Sequence, residues 1–195
     1  IDHSKSVRMG IKKSLMVVDM PHNTYRNPKE ALKNAKKIIS NTKCDAVKLE
    51  GGKKIYEIIK TLVKNNIPVM GHLGLLPQSA KNFKFKGKQN YEREKILKEA
   101  KLLETAGVFS MVLECIESSL AKNITKTIKI PTIGIGASNN CDGQILVFDD
   151  VIGLNPINVR FVKKYTNIRK DISKAVLNYA REVRNMKFPL KKHSY

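Results

Sequence analysis

Short apolar runs recur along the chain, each closed by an ionisable residue: Leu15–Val18 before Asp19, Ala46–Leu49 before Glu50, Pro68–Gly71 before His72 and Phe109–Leu113 before Glu114. Runs of this length without polar alternation predict strands buried on both faces of a parallel sheet. Between them, apolar positions return at helical spacing. Asn27-Pro28-Lys29-Glu30 predicts a helix start, with Asn27 as N-cap, Pro28 in the first helical position and Glu30 placed to close a capping box. The stripe Ala31, Leu32, Ala35, Ile38 and Ile39 continues that helix. Ile55, Ile58, Ile59, Leu62 and Val63 mark a second helix that stops near Asn65-Asn66. A third carries Ile96, Leu97, Ala100, Leu103 and Ala106 and ends at Gly107, a residue suited to a left-handed cap. A shorter helix around Leu120–Ile124, strands over Thr132–Ala137 and Gln144–Phe148, and a long amphipathic helix from Ile168 to Met186 complete the reading. The polar, lysine-rich stretch Lys81–Asn90 is expected to be a mobile surface loop.

Strands alternating with helices predict a parallel α/β sheet, either open and doubly wound or closed into a barrel. Gly134-Ile135-Gly136 lacks the third glycine and following apolar helix of a dinucleotide-binding turn. Ionisable residues at the ends of several different strands favour the barrel, in which every carboxyl end faces one pocket. The expectation is therefore an α/β fold of the (β/α)8 type with six of its strands present. The chain has 195 residues, against about 250 for a typical barrel of eight units. No linker or low-complexity block interrupts it, so residues 1–195 are read as one domain.

Composition narrows the function classes. No apolar stretch approaches the ~18 residues of a membrane span, and no signal-peptide pattern opens the chain. Cys44, Cys115 and Cys141 are odd in number and lack CxxC spacing, against both a disulfide framework and a zinc site. A reducing cytoplasm suits that usage. The formal charge of +20 invites a nucleic-acid reading. The basic residues are mostly lysines spread along the chain, aromatics are 6% with no Trp, and no nucleic-acid-binding spacing occurs. Solvated helix faces account for the charge better, and its field would still attract anionic small molecules.

Specific motifs lie at the strand ends. Gly71-His72-Leu73-Gly74-Leu75-Leu76-Pro77-Gln78-Ser79, Lys48-Leu49-Glu50-Gly51-Gly52, Val112-Leu113-Glu114-Cys115, and Ile133-Gly134-Ile135-Gly136-Ala137 followed by Cys141-Asp142-Gly143-Gln144 occur in register. In this order they resemble the ketopantoate hydroxymethyltransferases, and the resemblance runs from Ile1 to Tyr195. It implies a Mg²⁺-dependent (β/α)8 barrel that moves a one-carbon unit from 5,10-methylenetetrahydrofolate to 3-methyl-2-oxobutanoate, in pantothenate biosynthesis. It also implies a homo-oligomer acting on small molecules, without a membrane or nucleic-acid partner. By resemblance, Asp19 binds both metal and substrate, Lys48 the substrate carboxylate, Glu50 the metal, and Glu114 accepts the proton.

Those residue types suit the chemistry. Deprotonating carbon beside a ketone calls for charge stabilisation, which a hard cation held by carboxylates such as Asp19 and Glu50 can supply. Lys48 adds positive charge, and a partly desolvated carboxylate such as Glu114 can take the proton. Each also has a plainer reading. Asp19 before Met20-Pro21 could shape a turn, Lys48 could pair with a structural carboxylate, Glu50 could lead a loop and Glu114 could start a helix. His72 is read as lining the site behind these groups, or as a satisfied core histidine. Asp142 and Asp149 are expected to organise turns. Gly134–Ala137 could cradle a phosphate or allow close approach at a barrel rim, and the Ile168–Met186 stripe is expected to be core or subunit contact.

The resemblance further implies two strand–helix units ahead of Ile1, carrying an Asp-Ser pair that completes the metal and substrate contacts. This chain alone is accordingly expected to be weak or inactive. His22 stands where the family has an aromatic residue, and Lys81–Asn90 is shorter than the family's loop. The competing readings are a Mg²⁺-dependent keto-acid lyase or mutase on a related barrel, and a basic RNA-binding module on a degenerate one.

Overall fold

A computed structural model describes residues 1–80 and 84–195. The chain divides into two compact units, Ile1–Ile145 and Leu146–Tyr195. The first holds six parallel strands: β1 (Val17–Asp19), β2 (Ala46–Glu50), β3 (Val69–Gly74), β4 (Ser110–Glu114), β5 (Thr132–Ile135) and β6 (Gly143–Gln144). Their order in the sheet is β1-β2-β3-β4-β5-β6. Each new strand is thus added beside the last, with no reversal of direction. A doubly wound sheet must reverse at a switch point. Right-handed crossovers without a reversal put every connecting helix on one face, which is the winding of a barrel. The unit is an α/β half-barrel.

Five helices accompany these strands: α1 (Asp2–Gly10), α2 (Pro28–Thr42), α3 (Tyr56–Lys64), α4 (Asn90–Ala106) and α5 (Ser118–Thr127). The expected stripes are the buried faces. Ala31, Ala35 and Ile38 lie inward on α2, Ile58, Ile59 and Leu62 on α3, Ile96, Ala100 and Leu103 on α4, and Leu120, Ala121 and Ile124 on α5. They meet Val47, Leu49, Val69, Leu73, Met111 and Leu113 from alternate strand positions in one continuous core. Burying each such side chain fully is worth roughly 1.5–3 kcal/mol. The Asn27 side chain caps α2 by accepting from the Glu30 amide at 2.9 Å. Glu30 does not close the expected box; its carboxylate takes Arg26, at 3.0 and 3.1 Å. Gly107 ends α4 at φ 96°, where a side chain would be strained and would meet Val63.

Three expectations are corrected. Helix α1 was not foreseen; it buries none of its residues, so it leaves no apolar period to read. The strand expected over Gln144–Phe148 stops at Gln144, because only Gly143 and Gln144 pair with β5. Ile145, Val147 and Phe148 are exposed, and a short helix, α6 (Phe148–Val151), follows, with Asp149 and Asp150 in its first turn. The first strand begins at Val17 and leaves Leu15 exposed. The expected loop Lys81–Asn90 falls partly outside the described residues. Its described portion is tied down: the Lys86 amide donates to the Cys115 carbonyl at 2.7 Å, and the Glu117 amide to the Lys86 carbonyl at 2.8 Å.

The second unit holds α6 and α7 (Ile168–Arg184), the latter capped by Asn167, whose side chain accepts from the Lys170 amide. Phe188 meets Tyr179 edge-on and lies at a tilt against His193, with ring centroids 5.6 and 5.2 Å apart. Ile172, Val176, Tyr179 and Val183 on α7 are exposed, so the stripe is not core. No helix among the described residues is long and apolar enough to cross a membrane.

Candidate active site

Strand register explains why distant residues meet. Asp19 on β1 lies opposite Lys48 on β2, Glu50 opposite His72 on β3, and Gly74 opposite Glu114 on β4. Paired residues of a parallel sheet project to the same face, and so do residues two apart along a strand. Asp19, Lys48, Glu50, His72 and Glu114 therefore share the face away from the helices, at the carboxyl ends of four adjacent strands. Leu49, Leu73 and Leu113, the interleaved positions, face the core instead.

The side chains form a row. Lys48 Nζ lies 3.1 Å from Asp19 Oδ2 and 3.1 Å from His72 Nδ1. His72 Nε2 lies 3.2 Å from Glu114 Oε2, and Nδ1 lies 3.8 Å from Glu50 Oε1. His72 is 1% exposed, whereas the Asp19 carboxylate at the near end is 53% exposed. The contact from Nε2 to Glu114 is close but off line, so this buried nitrogen has no aligned hydrogen-bond partner among the described residues. The row runs from a solvated carboxylate, through a cation and an imidazole, to the carboxylate of Glu114, 13% exposed.

Two residues that sequence reasoning gave no role hold this row in place. The Gln78 amide donates to Glu50 Oε2 at 3.1 Å, and its side-chain Nε2 donates to the Met20 carbonyl at 3.1 Å. That leaves Gln78 Oε1 buried and without a partner among the described residues. The Tyr25 hydroxyl donates to the Glu50 carbonyl at 3.4 Å, and burial is the main reason its ionisation is pushed up. Gln78 lay within a motif noted in the sequence, but its backbone bond to Glu50 could not be read there. Gly74, at φ 98°, allows the closest approach: a Cβ there would sit 2.2 Å from the Glu114 carbonyl. The Leu75 amide donates to that same carbonyl at 2.8 Å.

Other candidates fall outside the row. Glu114 does not start a helix; Glu117 does, its carboxylate accepting from the Ser119 and Leu120 amides and from Ser119 Oγ. The Ser119 hydroxyl and the Arg93 guanidinium draw the Glu117 carboxyl down to about 2. Asp142 accepts from the Thr132 amide and hydroxyl, tying the approach to β6 onto β5. Gly134 is explained by close approach, since a Cβ would meet Gln144 and Cys141 at 3.0–3.1 Å. Burial, with the charge of Glu114 behind it, pushes the Cys115 thiol up to about 11, which makes it a poor nucleophile at neutral pH. All three cysteines are buried and free. His22 lines a cleft of about 240 Å³ with Tyr25, Arg26, Lys54 and Gln78, to which Glu50 also contributes. A second cleft is lined by Asp19 together with Asn34, Lys37 and Ile38 of α2; Glu114 lines neither cleft.

Comparison with known proteins identifies the family. Residues 1–191 match the family description Ketopantoate hydroxymethyltransferase. The chain is 74% identical to a 3-methyl-2-oxobutanoate hydroxymethyltransferase of Pelagibacter ubique, over all of this chain and 76% of that protein. It is 48% identical to the protein of the same name from Anaplasma marginale, over 72% of its length. Among solved structures, an orotidine 5'-monophosphate decarboxylase from Methanocaldococcus jannaschii superposes with a TM-score of 0.51 at 15% identity, covering 77% of this chain and 70% of that one; this is a likeness of fold alone. On the sequence matches, the chain belongs to the ketopantoate hydroxymethyltransferase family.

Proposed function

We propose that this protein transfers a hydroxymethyl group from 5,10-methylenetetrahydrofolate to 3-methyl-2-oxobutanoate, giving 2-dehydropantoate. The observation that carries the reading is the row Asp19–Lys48–His72–Glu114 with Glu50 beside it, on one face at the strand ends. Its half-barrel is read as six units of a (β/α)8 enzyme domain that works as a homo-oligomer in the cytoplasm.

The donor chemistry fits Mg²⁺. Asp19 and Glu50 offer hard carboxylate oxygens, and Mg²⁺ is commonly held by one or two carboxylates while keeping several waters. No group of three His, Cys, Asp or Glu side chains gathers at one point among the described residues; Asp19 and Glu50 are the carboxylates that would hold the ion. When bound, the ion contributes Lewis-acid stabilisation of negative charge on the keto oxygen.

This chain's own residues do the rest. Lys48, released from Asp19, would hold the substrate carboxylate as a point charge. Glu114 takes the C3 proton onto its carboxylate. The electron pair of the broken C3–H bond forms a new bond to the methylene carbon brought by the folate. Both C–N bonds of that carbon break with their electron pairs going to the folate nitrogens, a water supplies the hydroxyl group, and the second water proton and the C3 proton end on those nitrogens, so that 2-dehydropantoate and tetrahydrofolate leave. His72 and the core strands behind the row keep water from its inner end.

The test is exchange of the C3 proton of 3-methyl-2-oxobutanoate into deuterated water with Mg²⁺ and no folate. It is run on this chain and on a chimera that adds the part of the Pelagibacter ubique relative outside the match. Exchange that stops on chelation, and product formation on adding the folate, support the reading. If neither protein exchanges the proton, the reading is wrong.

A further inference from the structure

We infer that His72 positions the base: Lys48 pins its tautomer, and its Nε2–H holds one oxygen of Glu114 so that the other is left for the substrate proton. This rests on Glu114 being the base of the reaction proposed above. His72 sits in mid-row on β3, 1% exposed, between Lys48 on β2 and Glu114 on β4. Its two ring nitrogens have different neighbours. Lys48 Nζ lies 3.1 Å from Nδ1, and an ammonium has donors only. Nδ1 must therefore accept, which puts the single proton of the neutral ring on Nε2. That nitrogen faces Glu114 Oε2 at 3.2 Å, and an ionised carboxylate can only accept.

Every link thus has matched polarity, from Asp19 accepting from Lys48, through Lys48 donating to His72, to His72 donating to Glu114. The last link is the loose one, since Nε2 is not yet aligned with Oε2. Buried donors are rarely left so. Glu114 Oε2 is the acceptor at hand, because Glu50 lies on the Nδ1 side at 3.8 Å. Hydrogen bonds of a resting site commonly tighten when substrate arrives. Closing this one would fix the carboxyl plane of Glu114 and occupy Oε2, so the C3 proton goes to Oε1. In the substrate-free site Asp19 keeps Lys48 aimed at Nδ1; when the substrate carboxylate takes the place of Asp19, another of the three N–H donors of the ammonium stays on Nδ1. His72 itself acts through Glu114 and is a positioning residue.

The experiment has two arms. In the first, nitrogen NMR of the histidine-labelled protein without substrate reads the His72 tautomer. A neutral ring protonated on Nε2 is expected, and Lys48→Met should release it into a mixture of tautomers. A ring protonated on Nδ1, or one indifferent to Lys48→Met, overturns the inference. In the second, C3-proton exchange is compared in two variants. His72→Gln places an amide N–H near the position of Nε2 and should keep exchange within about tenfold of the parent. His72→Asn keeps an acceptor near Nδ1 but reaches no donor to Glu114, and should lose about a hundredfold with keto-acid affinity unchanged. Equal rates in the two variants, or a faster Asn variant, would show a merely structural histidine. A parent protein that exchanges nothing indicts the proposed reaction instead. Should the variants not fold, the tautomer arm still decides, since it needs only the parent and Lys48→Met.

Discussion

The two faces of the same strands are built by opposite rules. On the face toward the helices, Val47, Leu49, Val69, Met111 and Leu113 are fully buried against apolar stripes. On the other, interleaved with core positions along the same strands, are Lys48, Glu50, His72 and Glu114, joined by polar contacts of 3.1–3.8 Å. Charge at that depth would be costly if unpaired, and the row answers the cost by pairing each group with its neighbour. The lesson is a division of labour at single-residue spacing: along each strand, alternate positions pack the core, and the positions between them form the polar row.

That division can be tested by damaging one face at a time. The largest effect expected is on the core face. Leu113→Ala, adjacent to Glu114 in sequence but buried in the core, should destabilise the protein by about 2–5 kcal/mol, read by chemical denaturation. Exchange per folded molecule should survive. On the polar face, Lys48→Met should weaken keto-acid binding about a hundredfold, roughly 2.7 kcal/mol, measured by calorimetry, with much smaller loss of stability. Gly74→Ala sits between the two faces. Its positive φ and the 2.2 Å approach to the Glu114 carbonyl should cost about 1–3 kcal/mol and displace the base as well, so stability and exchange fall together.

The smallest effect lies beyond the row. Glu117→Gln removes the charged cap of α5 and should cost about 1 kcal/mol at neutral pH. The Glu117 carboxyl is drawn down to about 2 from an ordinary value of 4.5. Its stabilisation is therefore fully present above about 4.5 and is lost as the pH falls toward 2. The gap between parent and variant melting temperatures should close over that window, while exchange at neutral pH stays unchanged.

Much of this arrangement was legible in the sequence, for identifiable reasons. Buried strands write themselves as apolar runs, and Asn27, Pro28 and Gly107 mark helix ends through local backbone chemistry. Elements without a buried side left no such mark: α1 has no buried residue, and the exposed stretch Ile145–Phe148 imitates a strand. In the site, residue types could be read at strand ends, but their spacing in space depends on register. Asp19 faces Lys48, and His72 reaches Glu114, only because β1 to β4 pair as they do. The support from Gln78 runs through a backbone amide, which no side-chain pattern reveals. Capping at the end of β4 falls to Glu117, three residues beyond the carboxylate that could have served.

The central claim is that Glu114 removes a proton from carbon. Glu114→Gln keeps the shape of the side chain and removes its basicity. Exchange of the C3 proton of 3-methyl-2-oxobutanoate into deuterated water should drop by about a thousandfold, while calorimetry shows the keto acid still bound with parental affinity. A variant that exchanges at the parental rate would contradict the account.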